Sequence, residues 1–212
     1  MYPELLLLIG ISFSLGFAPG PNNAVASYSA FNFGLRKTLP VIWGVGLGYT
    51  ALVVLLIFVL MSVFEKYPFL IEVIRLLGSL FLIYLAYKIS FSESKSKSKT
   101  ENPVKFYETF FFQFINPKGV IAAITLISKF VKQENFTNTS ITLISKFVIQ
   151  EDYINSAITV ILVCGITAFL SIISWAFLGK FLRKFATNYE FIKRFNYAMS
   201  ILLVACVVTF YL

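Results

Sequence analysis

Two short clusters carry the residue types that could hold a ligand: Pro19-Gly20-Pro21-Asn22-Asn23, and Gln113 with Asn116-Pro117-Lys118. A proline inside a helix lacks an N–H and clashes with the carbonyl four residues back. Pro19 would free the carbonyl of Leu15, Pro21 that of Phe17, and Pro117 that of Gln113. Gly20 loosens the first cluster further, and Pro21 suits the first position of a new helix. Each cluster therefore reads as a break between two half-helices. A half-helix starting at Pro21 would offer unpaired N–H groups around Asn22 and Asn23, a positive dipole end that suits a carboxylate. The freed carbonyls suit an ammonium, and Lys118 would add positive charge on the carboxylate side. Such a site fits a zwitterion such as an amino acid. Neither metal nor cofactor is expected: the chain has no histidine, and Cys164 and Cys206 stand far apart in apolar runs. Metal-cation transport would want carboxylate, imidazole or thiolate ligands.

The elements that position these clusters are membrane helices. Of the 212 residues, 58% are hydrophobic and 13% charged, against about 25% charged in a soluble domain. Mean hydropathy is +0.82. One water-soluble core of this size cannot hide that much apolar side chain, so a soluble enzyme is excluded. A spanning helix needs about 20 mostly apolar residues. Six stretches qualify, at about 5–33, 39–63, 69–91, 106–131, 153–178 and 197–211. The first is roughly 44 Å long if helical, more than the ~30 Å hydrocarbon core, so its break falls inside the membrane. It carries Glu4 and no preceding basic residue, and is expected to be kept rather than cleaved. The fold class expected is an all-α integral membrane protein forming one membrane domain. Residues 1–91 make a first three-helix half, 92–105 a polar linker, and 106–212 a second half. The breaks fall in the first helix of each half. Three spans is an odd number, so the halves would be inverted repeats, and paired interruptions point to a transporter's binding site.

Basic residues set the orientation. Arg36 and Lys37 lie in the first connection, Lys88, Lys95, Lys97, Lys99 and Lys105 in the third, and Lys180, Arg183, Lys184, Lys193 and Arg194 in the fifth. The positive-inside rule puts these connections in the cytoplasm and both termini outside. Topology accounts for the +8 charge, and no nucleic-acid partner is expected. Within the spans, Glu72 and Arg75 share a helix face and are expected to pair. Gly44 and Gly48 mark close helix packing. Trp43, Trp175, Tyr28 and Tyr49 could wall a cavity. The sequence ITLISKFV at 124–131 recurs at 141–148, and the similarity runs on to 140 and 157. This local duplication puts 17 extra residues, 141–157, in the fourth connection. An amphipathic helix or loop at the outer interface is expected there.

Phe17-Ala18-Pro19-Gly20-Pro21-Asn22-Asn23, Gly34-Leu35-Arg36 and Asn116-Pro117-Lys118 resemble the LysE/RhtB family of amino-acid exporters. Gly78, Tyr84-Leu85-Ala86-Tyr87-Lys88 and Phe130-Val131 support it. Phe110-Phe111-Phe112-Gln113-Phe114 and Trp175-Ala176-Phe177-Leu178-Gly179 are most similar to the cysteine/O-acetylserine exporter branch. The resemblance covers the chain apart from the duplicated segment. It implies export of a small neutral amino acid or derivative across the bacterial plasma membrane, driven by the proton or electrical gradient. It also implies that Pro19, Gly20, Pro21, Asn22, Asn116 and Pro117 shape the pathway. The partners expected are the amino-acid substrate and the bilayer, and assembly with further copies stays open. Three rival readings remain: an exporter of basic amino acids, a thiol–disulfide carrier using Cys164 and Cys206, and a non-transporting assembly subunit.

Overall fold

Proline and glycine set the helix boundaries. The computed structural model describes residues 2–60, 63, 66–90, 104–131, 143–186 and 189–211. Helix α1 (Tyr2–Phe17) stops two residues before Pro19, and α2 (Pro21–Phe33) starts on Pro21, as expected where a proline lacks the N–H to continue a helix. Gly34, at φ 82°, is the single residue between α2 and α3 (Leu35–Leu55). That φ strains any residue with a Cβ, so the reversal depends on glycine. A π-helical turn, Leu56–Leu60, extends α3. Helix α4 is Phe69–Ser90. Helices α5 (Phe106–Ile115) and α6 (Pro117–Phe130) are separated only by Asn116. Helices α7 (Leu143–Arg183) and α8 (Tyr189–Thr209) follow.

Four stretches are each long and apolar enough to cross a bilayer: Leu35–Val59, Phe69–Ser90, Tyr153–Arg183 and Tyr189–Thr209. The α1–α2 pair bends by 57° and the α5–α6 pair by 59°, and each adds one span if the pair crosses as a unit. The protein is thus all-helical among the described residues, with four to six candidate spans. Both breaks occur where the prolines placed them.

The core has two apolar clusters. One gathers α2, the first half of α3, the end of α4 and part of α8, around Ala26, Val41, Leu82 and Leu203. The other gathers α1, the end of α3, α6 and the start of the α7 span, around Leu8, Leu52, Val120 and Val160. Cys206 lies in the first cluster and Cys164 in the second, and both thiols are free. Glycines let helices meet closely. A Cβ on Gly48 would sit 2.7 Å from the Phe110 carbonyl oxygen, and one on Gly44 would overlap Thr109. This seats α5 directly on α3, the close packing expected of Gly44 and Gly48. Gly78 similarly admits the Ile115 carbonyl and the Pro117 ring. Near the start of α4, Arg75 and Glu72 form the expected ion pair at 2.8 Å.

Two boundaries depart from the sequence expectation. The last helix starts at Tyr189 rather than near 197. Glu190 favours its first turn, and Lys193 and Arg194 have long stems that can carry their charge toward water. The second departure concerns the duplicated segment. From Leu143 onward its second copy is continuous with the fifth span in one 41-residue helix, not a separate element. Neither proline nor glycine interrupts residues 143–164, so nothing ends the helix. Its length of roughly 62 Å is about twice the hydrocarbon thickness, so one end must extend beyond it. Residues 132–142, where the copies join, and most of the linker expected at 92–105 lie outside the described residues.

Candidate functional site

At the first break four backbone acceptors, the carbonyls of Gly16, Phe17, Ala18 and Pro19, are already occupied. Asn23 Nδ2 donates to the Gly16 carbonyl at 3.2 Å and to the Ala18 carbonyl at 2.9 Å. Ser171 Oγ also donates to the Gly16 carbonyl, at 2.8 Å, and Trp175 Nε1 donates to the Phe17 carbonyl at 3.3 Å. Lys118 Nζ crosses from α6 to the carbonyls of Ala18 and Pro19, at 2.8 and 3.1 Å. The end of α1 thus receives protein donors, as buried carbonyls in a membrane require. This corrects the sequence expectation for these acceptors. The ammonium they hold is the protein's own, from Lys118. Of the three carbonyls expected to be free, that of Phe17 is taken by Trp175.

The second break reaches back to the first. Gln113, fully buried on α5, exchanges two hydrogen bonds with Asn22 on α2: Asn22 Nδ2 to Gln113 Oε1 at 2.8 Å, and Gln113 Nε2 to Asn22 Oδ1 at 3.1 Å. Gln113 Nε2 also donates to the Thr109 carbonyl at 2.7 Å. The breaks are therefore cross-linked in both directions. The residue after Pro21 bonds the half-helix before Pro117, and the residue after Pro117 bonds the backbone before Pro21. Asn116, only 2% exposed, differs: its Oδ1 is buried without a hydrogen-bond partner.

Between the breaks lies a cavity of about 80 Å³. Six of the residues singled out from sequence line it: Gly20, Pro21, Asn22, Asn23, Asn116 and Lys118. Pro19, Gln113 and Pro117 do not. The prolines bend the helices instead, and Gln113 holds Asn22 from behind. The cavity runs along α1, α6 and α7, touches α3 at Val45 and Tyr49, takes only the first turn of α2, and takes nothing from α5. Its wall includes Ser12, Tyr49, Cys164, Thr167 and Ser171, of which the sequence reading had raised only Tyr49 as a wall residue. A signal for the others was present. Cys164, Thr167 and Ser171 are spaced three and four apart, as are Ser12 and Gly16, which places each set on one helix face. Among the other aromatics considered, Trp175 serves the break by hydrogen bonding, Tyr28 is buried in the core, and Trp43 is half-exposed. No lining residue is acidic, and the described residues contain no group of His, Cys, Asp or Glu able to hold a metal.

Fold and site together define a multi-pass helical membrane protein with a small, mostly apolar cavity where two broken helices meet, with polar groups of both breaks on its wall. Residues 13–212 match the LysE type translocators, and the chain belongs to that family. It is 31% identical over 113 residues to proteins named cysteine/O-acetylserine efflux protein in Escherichia coli (strain K12), Shigella flexneri serotype 5b (strain 8401) and Shigella sonnei (strain Ss046). The match covers 53% of this chain and 58% of each relative, so the chain spans little more than half the length of the curated relatives it matches. No solved structure gives a significant match.

Proposed function

We propose that this chain is a secondary exporter of small neutral amino acids or their derivatives, of the cysteine, O-acetylserine, homoserine or threonine type, across the bacterial plasma membrane. One observation carries the reading most strongly: the two proline breaks meet at one cavity that both supply with polar groups, and they are cross-linked by Lys118 and by the Asn22–Gln113 pair. Broken helices around a central site are how secondary transporters expose helix ends to a substrate. Family membership and the names of the relatives support the same activity. The absence of acidic groups from the cavity wall favours neutral over basic amino acids. The placement of Cys206 and Cys164 in separate clusters disfavours a thiol–disulfide carrier, which needs its thiols within bonding distance.

In this reading each bent pair is one span, giving six spans in two inverted three-helix halves that rock about the cavity. With the basic connections in the cytoplasm, α1 and α6 occupy the outer half of the membrane, and the cavity beside them is the outward-facing form of the site. The proton or electrical gradient drives the cycle. The test is the amino-acid profile of the medium around bacteria expressing the chain, against an Asn22→Ala, Asn116→Ala variant at equal membrane level. A rise of one or a few small neutral amino acids with the unaltered chain alone is the expected result. Identical profiles, in cells loaded with candidate amino acids, would sink the exporter reading.

A further inference from the structure

We propose that the cavity reads both ends of a free zwitterion: the carboxylate on Lys118 and two half-helix N-termini, the ammonium on Asn116 Oδ1. This rests on the exporter reading and assigns the polarity of its site. The first backbone N–H groups of a helix have no partner within it. The Ala24 N–H is taken by the Gly20 carbonyl and the Val120 N–H by the Asn116 carbonyl, both at 3.0 Å. That leaves the N–H groups of Asn22 and Asn23 on α2, and of Lys118 and Gly119 on α6, without helical partners, and all four residues line the cavity. Two positive dipole ends therefore converge on one space. The opposing negative end, that of α1, is already covered by Asn23, Ser171, Trp175 and Lys118. An ammonium carries three N–H donors, and the carbonyls of Ala18 and Pro19 use two from Lys118. The third is available to a ligand.

One side-chain acceptor is left over: Asn116 Oδ1 is buried and unpartnered, on a residue that lines the cavity. An orphaned buried acceptor is costly, and a ligand that brings N–H donors removes that cost. A protonated amine does so, whereas a carboxylate alone cannot. The cavity's volume of about 80 Å³ suits a short side chain. The ligand class is therefore a small amino acid with both its carboxylate and its amino group unmodified.

The purified full chain in proteoliposomes tests this by counterflow of radiolabelled L-cysteine under reducing conditions. L-cysteinamide, which lacks the carboxylate, and N-acetyl-L-cysteine, which lacks the ammonium, compete against it. Each is expected to inhibit at least about tenfold more weakly than unlabelled L-cysteine, the effect of losing a charge-assisted hydrogen bond. Lys118→Met should erase discrimination against the amide and keep that against the N-acetyl compound. Asn116→Leu should do the reverse. Lys118→Arg retains a cation and should retain the preference for the carboxylate, which a merely structural lysine would not predict. If counterflow occurs and the two modified compounds compete as well as L-cysteine, the polarity is wrong and the exporter stands. If none of L-cysteine, O-acetyl-L-serine, L-homoserine and L-threonine exchanges, both readings fall.

Discussion

Asn22 and Gln113 satisfy each other's amides across the two broken helices. The pair is neutral, so it joins the two broken helices without burying a charge in a region where charges are costly. Side-chain hydrogen bonds inside membrane proteins average about 0.6 kcal/mol and reach about 1.7. Gln113→Leu removes both bonds and leaves the Asn22 amide without its buried partner. A loss of roughly 1–2 kcal/mol is expected, read as a lower midpoint of thermal unfolding in detergent. Asn22→Ala should cost a similar amount. The double variant should cost clearly less than the two together, because each single change already removes the shared bonds. Additive losses would show that the amides act separately.

Helix α5 lies on α3 because Gly44 and Gly48 present bare backbone to it. Gly48→Ala would place a methyl group 2.7 Å from the Phe110 carbonyl oxygen, and backbone cannot swing aside. Overpacking of this kind costs about 1–3 kcal/mol. Gly10, on α1, is a control, because a methyl group there meets nothing within 4 Å. Gly10→Ala should be neutral or stabilise by up to about 1 kcal/mol through helix propensity. Equal effects at the two positions, measured by thermal unfolding, would contradict the packing account. The duplicated segment makes a second prediction about elements. Tyr153 Oη donates to the Ile57 carbonyl at 3.1 Å, and Ala157 is fully buried. Deleting 141–157 removes both contacts. Deleting 132–148 also shortens the chain by one repeat length, yet keeps Val131, Tyr153 and Ala157. Its membrane yield and export should stay near those of the unaltered chain, and those of the 141–157 deletion should fall. The opposite ranking would assign the outer segment a role of its own.

Over the whole molecule, the basic residues cluster in alternate connections. Lys37 and Lys66 are both exposed and lie in connections expected on opposite sides. With Cys164 and Cys206 changed to serine, a cysteine at 66 should react with an impermeant maleimide applied to intact cells. A cysteine at 37 should react only after the membrane is opened. The reverse pattern would invert the topology, and with it the outward-facing assignment of the cavity. Arg183 shows how the connections bind the helices at one end. Its Nη1 donates to the carbonyls of Phe31 and Asn32 in the last turn of α2, where a cation also meets the negative end of the helix dipole.

Much of this protein is legible in its sequence because the controlling physics is local. A proline without an N–H breaks a helix wherever the chain folds, so both bends were readable at Pro19-Gly20-Pro21 and Asn116-Pro117. Twenty apolar residues need a bilayer, so the helical membrane class was readable as well. The convergence of Gly20–Asn23, Asn116 and Lys118 followed from matching the two breaks. What depended on distant partners was not legible. Nothing in the order of residues says that Lys118 would cap the end of α1, that Gln113 would turn from the cavity to Asn22, or which space the shared faces of Ser12, Thr167 and Ser171 would line. Those outcomes depend on which helix faces meet, and glycine contacts and the two bend angles set those faces only once the whole chain has packed.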